Sequence, residues 1–211
     1  SIIGIIFIVL IVILIAGVLI IKLGYLTHKS SVPPEDIWVR LDTLPVSGKT
    51  IAVYYGNNNS QPGENITGVW NTDYGIVYHM NISGKDSTQN SRDITAKVGD
   101  PTVTYYRGYG LIFDGNDAWN LADMPYWEQG WNSRTHEILF KTGNDVTTRQ
   151  TLFAEGGSSN GVMMYILNGV LYARWWSESE GWNGGFISTP ISANSLYHAV
   201  MSYSYPGTYS L

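Results

Sequence analysis

Twenty consecutive residues near the start of the chain, 2 to 21, read IIGIIFIVLIVILIAGVLII and contain no charged or polar side chain. A helix built from such a run is apolar on every face, so it must be buried all round, either in lipid or among copies of itself. At about 1.5 Å per residue the run spans roughly 30 Å, the hydrocarbon thickness of a bilayer. The sequence therefore predicts a long hydrophobic α-helix over residues 1–30. Its packing positions are Ile2, Ile5, Ile6, Leu10, Val12, Ile13, Leu14, Val18 and Ile21. Stiff, β-branched Ile and Val dominate, and they lose little side-chain entropy when packed. Lys22, His28 and Lys29 mark an interface with water, and Tyr25 suits the headgroup level. Gly4 and Gly17 lack the four-residue spacing of close helix contacts, so they read as tolerated glycines.

All 12 Lys and Arg and all 17 Asp and Glu lie outside that run, which leaves an acidic remainder in a chain of net charge −5. Binding to a nucleic-acid backbone needs a basic face, so nucleic acid is not an expected partner. The chain has no cysteine, which excludes both a disulfide framework and a thiol nucleophile.

Secretory signals carry a basic stretch ahead of their apolar core. Here only Ser1 precedes the run. An apolar helix at the start of a mature chain resembles type IV pilins and archaellins, whose prepilin peptidase removes a short basic leader. Bacterial members generally carry Glu at the fifth mature position, and this chain has Ile5, so it resembles the archaeal group. The resemblance implies a membrane-inserted precursor, a homo-oligomeric helical filament and an extracellular, cell-surface location.

From His28 to Asp36 the sequence HKSSVPPED is polar, and its two consecutive prolines cannot continue a helix. Residues 31–36 are thus a linker. Beyond it, Ile37, Val39 and Leu41 alternate with Trp38, Arg40 and Asp42, and a second β-rich run covers Thr50 to Tyr55. Residues 37–69 form a small β-module in this reading. Trp38-Val39-Arg40-Leu41 and Tyr54-Tyr55-Gly56-Asn57 resemble the C-terminal half of an extracellular β-domain that commonly precedes concanavalin-like domains.

Residues 70–211 read as all-β. Candidate strands lie at Gly75 to Asn81, Tyr109 to Asp114, His136 to Lys141, Thr151 to Glu155, Met163 to Leu167, Leu171 to Trp176 and Tyr197 to Tyr203, with Gly, Asn, Asp and Ser clusters between them. Short strands at this spacing predict an antiparallel β-sandwich. Val77 to Asn81, Asp86-Ser87-Thr88, Phe113-Asp114-Gly115 and Tyr197-His198 are similar to laminin G-like and concanavalin A-like jelly rolls. Such domains usually continue past the strand represented by Thr208 to Leu211, so the sandwich is expected to be incomplete or to be completed by a neighbouring subunit.

The residues do not read as an enzyme. Jelly-roll glycosidases place an acid and a nucleophile about 5 to 5.5 Å apart on one strand. The only Glu-x-Glu, Glu178 and Glu180, falls in a loop-like stretch, and Glu137 and Glu155 stand alone in their strands. His28, His79, His136 and His198 have no metal-ligand spacing. Asp114, Asn116 and Asp117 have calcium-type oxygens but read first as a turn, so no cofactor and no metal are expected. Aromatic side chains collect around loops at Trp119, Tyr126, Trp127, Trp131, Trp175, Trp176 and Trp182. Of these, Trp127, Trp131, Trp175 and Trp182 are the candidate glycan or subunit contacts. Asn58, Asn65 and Asn81 open Asn-x-Ser/Thr sequons, as in an exported glycoprotein.

The sequence thus predicts a filament subunit that polymerises through its N-terminal helix and displays a β-sandwich for adhesion. The alternative is a monomeric, membrane-anchored, lectin-like protein that binds surface glycans.

Overall fold

A computed structural model describes residues 14–15, 18–22, 36–43, 45, 46, 48, 50, 61, 63, 65–105, 109–121, 133–157, 159–177, 185–204 and 208–211. The chain divides into two compact units, Ser1–Ala122 and Asp123–Leu211. This division falls inside the stretch 70–211. The described part is built almost entirely of antiparallel sheets, with one short helix.

In the first unit, β1 (Leu14–Ile15), β2 (Val18–Lys22) and β3 (Asp36–Arg40) form one sheet in that order. The long helix expected over residues 1–30 is therefore not what Leu14, Val18 and Ile21 form. Ile and Val favour the strand at χ1, and the register Val18↔Arg40 through Lys22↔Asp36 gives the apolar backbone a partner. Among the described residues no helix is long and apolar enough to cross a membrane. Ile2, Ile5, Ile6, Leu10, Val12 and Ile13 lie outside the described residues.

Further along, α1 (Ile66–Val69) is one turn whose N-terminus is capped by Asn65, with its Oδ1 accepting from Gly68 N at 2.9 Å. Trp70 follows, buried, with Tyr74 edge-on at 5.0 Å. Trp38 of β3 lies 5.2 Å from Trp70 and 4.6 Å from His79, giving this unit an aromatic cluster. Two further strand pairs are described in this unit, β4 (Ile94–Val98) with β7 (Ala118–Leu121) and β5 (Thr102–Tyr105) with β6 (Tyr109–Ile112). Gly75 to Asn81, expected as a strand, contributes only an isolated bridge from Tyr78 to Asp86.

That bridge rests on a carboxylate. Asp86 Oδ1 accepts from Val77 N and Thr88 N, and Oδ2 accepts from Thr88 Oγ1 and Arg92 N, at 2.8 to 3.0 Å. Four local donors on one short side chain explain why the segment is a fastened loop and not a ladder. Burial, followed by the charges of Asp86 and Asp93, pushes the Tyr78 phenol up to about 12.

Burial holds the His79 imidazole below its ordinary 6.5. The unfolded chain then takes up a proton that the folded chain refuses, so stability is level above about pH 6.5 and falls as the pH drops toward the folded value. In His79→Phe the unfolding midpoint should change less between pH 7.5 and 5.5 than in the parent. An equal change in both would assign the slope to other groups.

The second unit holds two sheets. One has the order β12-β11-β10-β9, from β9 (Gln150–Gly156), β10 (Asn160–Leu167), β11 (Val170–Ser177) and β12 (Phe186–Pro190). The other has the order β14-β13-β8, from β8 (Ser133–Lys141), β13 (Leu196–Ser204) and β14 (Thr208–Ser210). Val162, Met164, Ile166, Leu171, Ala173 and Trp175 from the first sheet join Ala199, Met201 and Tyr203 from the second in one buried cluster. Full burial of the Val, Met, Ile and Leu side chains among these is worth roughly 1.5–3 kcal/mol each in removed apolar surface.

Local chemistry fixes the corners of this unit. Asp145 Oδ1 accepts from Thr147 N, Thr147 Oγ1 and Thr148 N, and hydrogen bonds from the side chains of Thr148 and Thr147, then from their backbone, hold its carboxyl well below the usual carboxylate range. Buried Thr142 donates from Oγ1 to Ser192 O and accepts from Ser195 N, which ties the end of β8 to the turn before β13.

Candidate functional site

The site begins with two residues that make a turn. Asn168 and Gly169 join β10 to β11, both with positive φ, +51° and +74°. That is the geometry of a two-residue hairpin turn whose twist matches that of its strands, and Asn-Gly is the pair that adopts it most readily. The turn fixes the register as Leu167↔Val170, Tyr165↔Tyr172, Met163↔Arg174 and Gly161↔Trp176. Alternation then separates the side chains of β11. Leu171, Ala173 and Trp175 go into the core, and Tyr172, Arg174 and Trp176 go to the opposite face.

Trp175 retains 2% exposure and belongs to the core. It is not the surface contact expected of it, because it falls on the inward positions of the strand. Its neighbour Trp176 occupies the outward face. A Cβ at Gly161 would stand 2.0 Å from Trp176 Cζ2, so the indole lies directly over that glycine. Trp176 Nε1 donates to Gly157 O at 2.8 Å and pins the ring. One indole face rests on the sheet and the other points away from it.

Beside it, the Tyr165 and Tyr172 rings stack at 5.0 Å with 11° between their planes, and Phe186 of β12 meets Tyr172 edge-on at 5.4 Å. The Arg149 guanidinium covers the other side of Tyr165 at 4.7 Å. Arg174 is exposed, and no carboxylate among the described residues pairs with it. Successive outward residues on a strand are about 7 Å apart. Arg174 is therefore flanked by a phenol on one side and a flat indole on the other.

A second polar group lies on the inward side of the same unit. Glu155 of β9 receives Arg134 NH1 on Oε1, and His136 Nε2 stands 3.0 Å from the same oxygen. All three side chains are 13–14% exposed. The His136 ring stacks on Phe153 at 5.0 Å. Its Nδ1 is buried without a hydrogen-bond partner. Arg134 and His136 are on an edge strand of one sheet and Glu155 on an edge strand of the other, so the cluster joins the two sheets. An Arg held against the carboxylate makes this a poor place for a cation, and it reads as a structural link.

The remaining sequence candidates are placed as follows. Glu137 accepts His198 Nε2 at 2.6 Å on the outward side of β8 and β13. Asp117 accepts from Asp100 N and Asp114 N, and Asp114 Oδ1 accepts from Asn116 N, so these oxygens hold a turn. No group of three or more His, Asp or Glu among the described residues is arranged to hold a metal. Asn65 caps α1, and Asn81 accepts from Ser83 N at 3.1 Å, while Asn58 lies outside the described residues. Trp127, Trp131, Trp182, Glu178 and Glu180 also lie outside them. Tyr165, Tyr172, Arg149, Arg174 and Phe186 were not among the sequence candidates. The Asn168-Gly169 dipeptide, read together with the alternation on each side of it, is the signal that finds the central pair.

Comparison of the chain with models of known families, with curated proteins and with solved structures gave no match in any of the three.

Proposed function

We propose that this chain is an adhesive protein of the cell surface that binds glycans through the outward face of β9–β12, on a β-sandwich of the jelly-roll kind. The observation that carries the reading is the row Tyr172, Arg174 and Trp176 on β11, with the indole flat over Gly161. A flat aromatic face stacks on the C–H face of a sugar ring, while nearby phenol and guanidinium groups donate hydrogen bonds to its hydroxyls. Sequons at Asn65 and Asn81 agree with an exported chain. A glycan attached at Nδ2 leaves Oδ1 free to keep the bonds it makes here. The test is a glycan array probed with the full chain in detergent. Selective binding that Trp176→Ala abolishes is the expected result, and binding unchanged by that substitution would overturn the reading.

A second reading concerns how the protein is held, and the charge-free run 2–21 favours it. In this reading the chain is a subunit of a type IV pilus-like filament, an assembly of identical copies packed through that run. Among the described residues β1 and β2 pair with one further strand, and an open sheet edge cannot be tolerated in lipid or in a dry bundle. There the run must satisfy its backbone internally, as a helix. The same segment then serves as membrane-held precursor and as filament core, with the head outward. Electron microscopy of material sheared from cells should show filaments containing the chain, and Val12→Asp should abolish them. Filaments unaffected by that charge would refute core packing, and a protein confined to the membrane fraction would favour a monomeric anchored form.

A further inference from the structure

Resting on the glycan-binding reading, we infer that the ligand of the β11 row is an acidic glycan whose sugar ring carries a carboxylate, a uronate, with Arg174 reading the carboxylate and Trp176 the ring. The chain is acidic as a whole, with 17 Asp and Glu against 12 Lys and Arg. On the outward face of β9–β12 the described charges are nevertheless cationic, Arg149 and Arg174. These two differ in what they already do. Arg149 is committed to the Tyr165 ring at 4.7 Å and to Met163 Sδ at 3.4 Å. Arg174 is exposed with no carboxylate partner among the described residues, and its Cα partners across the ladders are Met163 and Phe186, both apolar.

A guanidinium is a planar fork of donors that matches a carboxylate with two parallel bonds, a stronger and more directional contact than a hydroxyl provides. About 7 Å along the strand stands the pinned indole of Trp176, and as far on the other side the Tyr172 phenol. A pyranose stacked on the indole extends its ring substituents over that distance, so a carboxylate on the ring meets the fork. A neutral sugar would stack equally well and leave Arg174 facing a weaker acceptor. The acidic balance of the chain repels a polyanion at long range, so retention on one reports a local contact.

The test compares two polymers that share a backbone, immobilised polygalacturonate and its fully methyl-esterified form, with the full chain in detergent applied at low salt. The parent should be retained at least tenfold more strongly on polygalacturonate. Arg174→Gln should erase that preference, and Arg174→Lys, which keeps the charge but loses the fork, should give an intermediate value. Lys97→Gln, a charge change in the other unit, should leave retention unaltered. Arg174 is exposed, so its variants should keep the parent circular dichroism spectrum. Equal retention of the parent on both polymers would overturn the uronate inference and leave the glycan reading standing. Retention on neither would overturn the uronate inference, and the glycan array with Trp176→Ala then decides the glycan reading. A preference that survives Arg174→Gln would overturn the role of Arg174.

Discussion

Glu155→Ala is expected to destabilise the second unit by about 3–5 kcal/mol, seen as a lower denaturant midpoint of the transition reported by tryptophan fluorescence. The loss does not come mainly from the attraction that disappears. Arg134 and His136 are each about one-seventh exposed and share one oxygen of Glu155. Removing that carboxylate takes from a guanidinium that is largely out of water the ion pair it makes with Glu155, and a desolvated charge that loses an ion-pair partner costs more than the pair itself contributed. Replacing the whole group by apolar side chains of similar volume, Arg134→Met with His136→Phe and Glu155→Leu, should recover most of the loss, because no charge then remains to be solvated. A triple variant as unstable as Glu155→Ala would mean that the cluster contributes specific geometry beyond charge balance.

The second large effect separates two adjacent tryptophans. Trp175→Ala should destabilise by about 3–5 kcal/mol, the range for emptying an indole-sized volume in a packed core. Trp176→Ala should cost clearly less stability than Trp175→Ala and should remove glycan retention. Unfolding curves and array binding on the same two preparations decide it. If Trp175→Ala retained stability and Trp176→Ala lost it, the assignment of faces on β11 would be reversed.

These two residues also mark the limit of what could be read from the sequence. Strand positions from His136 to Tyr203 were legible because apolar and polar residues alternate there and Gly, Asn and Ser punctuate them. β8, β9, β10, β11 and β13 all contain the segments expected. Which face each residue takes was less legible in Arg174-Trp175-Trp176, where two identical large aromatics follow one another and only the register set by Asn168-Gly169 distinguishes them. Phe186–Pro190 was missed as a strand because FISTP is short and ends in proline, which suits only a sheet edge. Gly75 to Asn81 has the β-rich composition of a strand, but Asp86, nine residues on, takes up Val77 N with its side chain. The apolar run misled for a different reason. Its composition fits a helix in lipid and a strand beside β3 equally well, and backbone partners, not side-chain hydrophobicity, decide between them.

The Asn168-Gly169 turn makes the chemistry of this face a matter of parity. Odd-numbered positions of β11 build the interior and even-numbered ones meet the surroundings, while across the turn the assignment is inverted, with Met163 and Tyr165 outward and Met164 and Ile166 inward. Adding or removing a single residue between these strands would exchange the two sets, putting Trp175 and Leu171 outside and Arg174 inside. Substitution at positions such as 172, 174 and 176 therefore alters the outward surface without touching the core, whereas a one-residue insertion or deletion in the hairpin alters both at once.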